Sequence, residues 1–93
     1  MNNLTLHVKR KWFQQIQAGT KAHEYRLYNN YWRNRLEGKT FDQLTICLGY
    51  PDKDDAARRI TLPWRGYEIQ NVKCEEWDNI PQTVFAIRLH AAQ

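Results

Sequence analysis

The chain has 93 residues, a formal net charge of +4 and a hydrophobic content of 42%. This length suits one small domain with a single core, so we expect residues 1–93 to form one unit. No apolar run is long enough to cross a membrane, and the first residues lack the apolar core of a signal peptide, so we expect a cytoplasmic protein without membrane attachment.

The first part of the chain, residues 4–36, is predicted to alternate strands with short helices. Residues 4–8 alternate apolar and polar side chains, which is typical of a half-buried strand. Residues 9–18 show helical spacing of apolar side chains, and Gly19 is a natural helix end. Residues 21–27 form a second predicted strand. A second helix over residues 31–36 follows the capping sequence Asn29-Asn30.

The second part of the chain is predicted to consist of strands. Residues 41–49 and 83–90 alternate strongly, and residues 67–72 form another strand. Residues 58–62 form a strand that Pro63 is expected to stop. A polar loop over residues 50–57 separates two of these strands. Such a set of about six short strands and two short helices indicates the α+β class, and a small chain of this kind usually closes into a β-barrel.

The positive charge is concentrated in the first half of the chain. Residues 1–40 contain eight Lys or Arg and two Glu, which gives +6, whereas residues 41–93 contain six Lys or Arg and eight acidic residues, which gives −2. A basic region that also contains aromatic side chains is typical of contacts with phosphates and stacked bases. A soluble domain with a basic isoelectric point has the same composition, so charge alone leaves both interpretations open.

The stretch Gly19-Thr20-Lys21-Ala22-His23-Glu24-Tyr25-Arg26 places three charged side chains close together. In a strand, Glu24 and Arg26 share one face because side chains alternate. The long Lys21 side chain can reach that face from the preceding turn. We therefore expect Lys21, Glu24 and Arg26 at the mouth of one cleft, with Tyr25 directed to the opposite face.

The spacing G-x-K-x-x-E-x-R in this stretch resembles the signature of the ASCH domain family. The order of strand, helix, motif and Tyr-Trp-Arg helix is similar to small bacterial and phage ASCH proteins. The resemblance implies a PUA-like mixed β-barrel of about six strands with two short helices. It also implies a cleft beside the first helix, lined by the motif, and RNA, a nucleotide or a nucleoside as the ligand.

The resemblance leaves the activity open, because relatives are described as ribonucleases, as acetylcytidine amidohydrolases or without assigned chemistry. In the amidohydrolases the described residues are the motif lysine, a threonine and a later glutamate. Lys21 matches the lysine, whereas Glu24 stands where those enzymes have the threonine. Glu68, Glu75 and Glu76 are all candidates for the later glutamate. An RNA-binding module and a metal-independent hydrolase therefore remain alternatives.

Each residue of the motif has a functional role and a structural alternative. If the protein is an enzyme, Lys21 and Glu24 are the expected catalytic residues, Glu24 as a general base or an orienting group. Lys21 and Arg26 are expected to bind phosphate, Arg26 in a bidentate manner. The structural alternative is an ion pair between Glu24 and a neighbouring cation. His7, on the preceding strand, is a further candidate acid or base.

The remaining expected ligand-binding residues are basic or aromatic. They are Lys9, Arg10, Tyr31, Arg33 and Tyr50, the aromatic members as stacking platforms. The three histidines and two cysteines have no metal-ligand spacing, so neither a metal nor another cofactor is expected. We also expect a monomer.

Overall fold

The computed structural model describes residues 2–90, apart from the side chain of Glu76. Within this range the chain forms six β-strands and two α-helices, which confirms the predicted α+β class. In chain order they are β1 (Asn3–Val8), α1 (Arg10–Ala18), β2 (His23–Leu27), α2 (Asn30–Leu36), β3 (Gln43–Leu48), β4 (Arg59–Pro63), β5 (Tyr67–Val72) and β6 (Gln82–Arg88). Short 3-10 turns precede β4 and β6.

The strands of residues 2–90 make two three-stranded sheets. In one sheet β3 lies between β1 and β4, parallel to β1 and antiparallel to β4. In the other sheet β6 lies between β2 and β5 and is antiparallel to both. Parallel neighbours require a long crossover. The connection between β1 and β3 contains α1, β2 and α2, so the chain visits the second sheet before it completes the first.

A single cluster of buried apolar side chains lies on both central strands and on the helices. Its fully buried members include Leu36, Leu44, Ile46, Phe85 and Ile87. The sequence predicts one buried face on the last strand, but Val84 and Ala86 on the other face are buried as well. On that face they are flanked by longer side chains of β2 and β5, Tyr25 and Glu68 beside Ala86 and Leu27 and Gln70 beside Val84.

The ends of the helices and strands largely follow the predicted local signals. Gly19 ends α1 in the left-handed conformation with a φ of 77°, and the Asn29 side chain accepts a hydrogen bond from the Trp32 amide at the start of α2. Pro63 was expected to stop β4, but it belongs to the strand and pairs with Gln43. Because β4 lies at a sheet edge, the missing amide proton of Pro63 is tolerated there.

Candidate functional site: an aromatic and cationic cleft

A cleft with a volume of about 650 Å³ lies where β1, α1, β2 and α2 meet. Its charged lining consists of Lys9, Glu24, Arg26 and Arg35. Its ring-bearing lining consists of His7, Trp12, Tyr31, Trp32 and Tyr50. The cleft therefore unites one carboxyl group, three cations and several rings, all contributed by the first half of the chain or by Tyr50.

Glu24 is buried because of the face of β2 on which it lies. In the ladder with β6, Glu24 is opposite Ile87 and Arg26 is opposite Phe85, two core residues. Side chains opposite each other in a ladder lie on the same face of the sheet. Glu24 therefore extends toward the core and is only 4% exposed.

The two carboxylate oxygens of Glu24 have different surroundings. Oε1 accepts hydrogen bonds from Arg26 Nη1 at 3.1 Å and from the Tyr25 amide at 3.2 Å. Oε2 is buried and has no hydrogen-bond partner among the described residues. A buried polar atom without a partner is costly in a stable core and is often found at functional sites.

Burial raises the pKa of the Glu24 carboxyl above its ordinary value of 4.5. The positive charges of Arg26 and Lys21 and the hydrogen bonds to Oε1 act in the opposite direction, but desolvation outweighs them. A carboxyl group with a raised pKa retains its proton closer to neutral pH. Glu24 is therefore suited to proton transfer as well as to orienting Arg26.

Arg26 is a fixed cation that links β2 to β1. Its Nη1 also donates to the Tyr25 carbonyl oxygen at 2.9 Å, and its Nη2 donates to the His7 carbonyl oxygen at 3.0 Å. The guanidinium lies over the Trp32 ring, 5.4 Å from the ring centroid. These contacts occupy several of its N–H groups. Arg26 therefore supplies a fixed positive charge in the cleft and is not free to bind a phosphate through both terminal nitrogens.

Arg35 and two aromatic side chains of α2 form one wall of the cleft. The rings of Tyr31 and Trp32 meet edge to face with centroids 5.0 Å apart. The Arg35 guanidinium lies over both rings, at 5.4 Å from Tyr31 and 5.6 Å from Trp32. Tyr31 is 59% exposed, so its ring is accessible to a ligand.

On α2, Arg33 was predicted to bind the ligand and Arg35 was not. The structure places Arg33 outside the cleft, where it pairs with Glu37 at 2.7 Å and lies over the Tyr28 ring. Arg35 follows Tyr31 by four positions and Trp32 by three. Side chains at these spacings are neighbours on a helix surface, so this signal was available in the sequence.

His7 and Tyr50 form another part of the cleft lining as a stacked pair. Their ring centroids are 4.3 Å apart and their planes differ by 22°. His7 Nδ1 lies 2.7 Å from the Gly49 carbonyl oxygen. Because a carbonyl only accepts, Nδ1 carries the proton, and Nε2 of the neutral ring is a hydrogen-bond acceptor.

Lys21 lies beside the cleft, outside the set of residues that line it. Its Nζ lies over the Trp12 ring at 4.4 Å and over the Tyr25 ring at 5.3 Å. Tyr25 is on the opposite face of β2 from Glu24, as alternation predicts. The expected grouping of all three charged side chains at one cleft mouth is therefore present for Glu24 and Arg26 only, because contact with two rings holds the lysine to the side.

The later glutamates lie away from the cleft. Glu68 pairs with Arg88 at 3.2 Å, on the face of the sheet opposite Glu24. Hydrogen bonds from Gln70 and Arg88 lower the pKa of the Glu68 carboxyl. Glu75 is exposed and lines a separate groove. The Glu76 side chain lies outside the described part of the chain.

Over residues 2–90, no group of three or more His, Cys, Asp or Glu side chains is arranged to hold a metal ion. None of the helices in this range combines the length and apolar character of a membrane span.

The cleft combines three chemical capacities, namely ring stacking, positive charge and a carboxyl group with a raised pKa. The rings and the cations come from several elements, whereas β2 supplies the carboxyl group of Glu24 and its partner Arg26. Searches with the whole chain found no matching protein-family model, no matching curated protein and no matching solved structure.

Proposed function

We propose that this protein binds single-stranded RNA or a nucleotide in the cleft between β1, α1 and α2. The observation that carries the proposal is the wall of Tyr31, Trp32 and Arg35, which lines the same cleft as the His7–Tyr50 stack. Open aromatic rings bind bases by stacking, and arginine over a ring adds a cation at the same place. These are the two interactions on which proteins rely to bind single strands.

The charge of the cleft supports an anionic ligand. Three cations and one carboxyl group line it, and the pKa of that carboxyl is raised. The surplus is therefore two positive charges when Glu24 is ionised and three when it is protonated. Arg35 contributes to this charge beside the rings of Tyr31 and Trp32, and Arg26 contributes to it beside Glu24. Lys21 lies close enough to add to the field.

The ASCH-like, PUA-like mixed β-barrel is part of the same proposal. It is supported by six strands in two sheets around one core, by the mixture of parallel and antiparallel pairing, and by a cleft beside α1 that contains two of the motif residues. A determined structure with RNA bound between α1 and α2 is the direct check on both the barrel and the ligand.

Binding of RNA should weaken strongly with salt. If three phosphates are contacted, the affinity for a single strand should fall about 20-fold between about 50 mM and about 200 mM salt. Fluorescence anisotropy with a labelled single-stranded RNA measures this directly. Arg35→Ala should weaken binding of all sequences to a similar degree and reduce the logarithmic salt slope by about 0.7.

The matched control for this titration is Arg65→Ala. Arg65 is exposed and does not line this cleft. Its substitution removes the same charge and should leave the binding curve nearly unchanged. The proposal is wrong if no RNA binds at low salt, or if binding does not respond to salt.

A second candidate function is metal-independent hydrolysis of RNA or of a modified nucleoside such as acetylcytidine. The observation that favours it is Glu24, a cleft carboxyl with a raised pKa and one unpartnered oxygen. Glu24 would transfer the proton, and Lys21 would stabilise negative charge from beside the cleft. Mass spectrometry of both substrates, incubated with chelator present, should then show products that Glu24→Gln and Lys21→Ala abolish. If both substrates remain intact, the hydrolase proposal is wrong and only the binding function remains.

A further inference from the structure

A second cleft adjoins the first across the His7–Tyr50 stack. Its volume is about 540 Å³. Lys9, Arg10 and Arg58 supply its charge, and no acidic side chain is part of its lining. Its floor is apolar and includes Leu48. The second cleft is therefore the more purely cationic of the two.

The two clefts are continuous with each other. His7, Val8, Lys9 and Tyr50 line both of them, so the stacked pair is a shared partition rather than the end of either cleft. Tyr50 is 88% exposed and presents most of its surface to solvent. A ligand longer than one nucleotide can therefore pass along Tyr50 from one cleft into the other.

Arg59 holds the loop that carries Tyr50 and Arg58. Its Nη1 donates to the carbonyl oxygens of Asp52 at 2.7 Å and Asp55 at 3.1 Å, and its Nη2 donates to that of Pro51 at 3.3 Å. This predicted polar loop is thus closed around one guanidinium. As a consequence, the partition and the far wall of the second cleft have defined positions relative to β4.

The cations of the second cleft differ in how far they are neutralised. Arg58 forms an exposed pair with Asp55 at 3.1 Å, which leaves it only partly effective toward a ligand. Arg10, at the first position of α1, is exposed, and the first turn of this helix contains no acidic side chain. Arg10 is therefore the principal source of positive potential in the second cleft.

We propose that the second cleft binds a backbone phosphate of an RNA strand whose base occupies the first cleft. The natural ligand is then a strand of two or more nucleotides that crosses the His7–Tyr50 stack, and not a free nucleoside. The inference rests on the proposed function and names its ligand. The rings and the carboxyl group are concentrated in the first cleft, while the second offers cations without a carboxyl group, which is the chemistry of a phosphate site.

The experiment compares ligands that differ only in length and phosphate content. A nucleoside, its monophosphate and short oligonucleotides of the same base are titrated into the full chain by calorimetry or NMR. The oligonucleotides should bind at least about tenfold more tightly than the nucleoside, with the monophosphate between them. Tyr50→Ala should weaken oligonucleotide binding by about 5- to 100-fold, which corresponds to the loss of one stacked base.

Arg10→Glu tests the phosphate site without endangering the fold. An acidic side chain in the first turn of a helix is favourable, so the melting temperature should stay the same or rise. The affinity ratio between oligonucleotide and nucleoside should nevertheless fall about tenfold or more. Arg65→Glu makes the same change of charge away from the clefts and controls for the long-range effect of net charge.

The possible results separate this inference from the function on which it rests. If a nucleoside binds as tightly as an oligonucleotide and Arg10→Glu has no more effect than Arg65→Glu, the inference is overturned while nucleotide binding in the first cleft stands. If neither a nucleoside nor RNA of any length binds at low salt, the proposed function fails and the inference fails with it.

Discussion

Replacing Arg26 by methionine should lower the free energy of unfolding near neutral pH by about 3–5 kcal/mol. The substitution removes the cation that donates to Glu24 Oε1 and leaves the carboxyl group buried. It also removes the hydrogen bond to the His7 carbonyl oxygen, which ties β2 to β1. The loss is a large share of the total, since a domain of this size is stable by about 5–15 kcal/mol.

The loss should grow as the pH rises. Because the pKa of Glu24 is raised above 4.5, the folded protein binds more protons than the unfolded chain in the interval above that value. The stabilising contribution of the protonated carboxyl is therefore complete below 4.5 and is lost as the pH rises through the folded pKa. Arg26 lowers this pKa, so its removal extends the loss to higher pH.

Urea denaturation of the wild-type protein and Arg26→Met between about pH 5 and about pH 8 measures this effect. The glutamine of Glu24→Gln does not titrate, so the unfolding free energy of this variant should not show this decline with rising pH. The lowered pKa values of Glu37 and Glu68 contribute with the opposite sign, but they are common to all variants and cancel in the comparison.

A double substitution shows whether Arg26→Met loses stability because the Glu24 carboxylate is left buried without a cation or because side-chain packing is lost. Glu24→Leu combined with Arg26→Met removes both charges and should recover most of the stability, because buried ion pairs are often replaceable by apolar side chains. Two results would contradict the role given to the Glu24 carboxyl group. One is a loss of unfolding free energy in Arg26→Met that is the same at every pH. The other is a double variant that is as unstable as Arg26→Met alone.

The pairing of Glu24 with Arg26 shows how far sequence reasoning extends in this chain. Alternation along a strand places both residues on one face, and the structure confirms this. Alternation does not indicate which face meets the core, because that depends on the pairing of β2 with β6, far away in sequence. The burial of Glu24 opposite Ile87, and hence its raised pKa, was therefore not predictable from the motif.

The positions of the charged groups at the ends of long side chains were also not predictable from the sequence. The position of a residue on a helix or strand fixes its Cα, but the guanidinium or ammonium group lies several bonds further out. Arg35 thus reaches over the rings of α2, and Lys21 turns toward Trp12. The contact of His7 with Gly49 spans 42 residues and depends on the parallel pairing of β1 with β3, for which the local pattern holds no signal.

Replacing Phe85 by alanine should also cost about 3–5 kcal/mol of unfolding free energy. Phe85 is fully buried at the centre of β6. Its ring centroid lies 4.9 Å from that of Tyr67 and 5.0 Å from that of Tyr28. It is opposite Arg26 in the ladder, so it is a direct neighbour of a residue that lines the cleft. Removal leaves a cavity that the rigid sheet cannot fully close, which adds to the lost burial.

Ile69→Ala is the matched control for Phe85→Ala. Ile69 is opposite Phe85 on β5 in the same rung of the ladder, but it is 50% exposed. We expect it to cost no more than about 1 kcal/mol, since less apolar surface is lost and no cavity forms. Equal losses at the two positions would contradict the assignment of Phe85 to the core, because a buried ring should contribute more than a half-exposed side chain on the same face.

Phe85→Ala and Arg26→Met should not be additive, because the two residues are neighbours across one strand pair. Contacting residues usually show coupling energies of about 0.5–3 kcal/mol. A cavity under the cleft would give the Glu24 carboxyl room for water, which reduces the cost of leaving it without Arg26. The combined variant should therefore lose less than the sum of the two single losses, as a double-mutant cycle by urea denaturation would show.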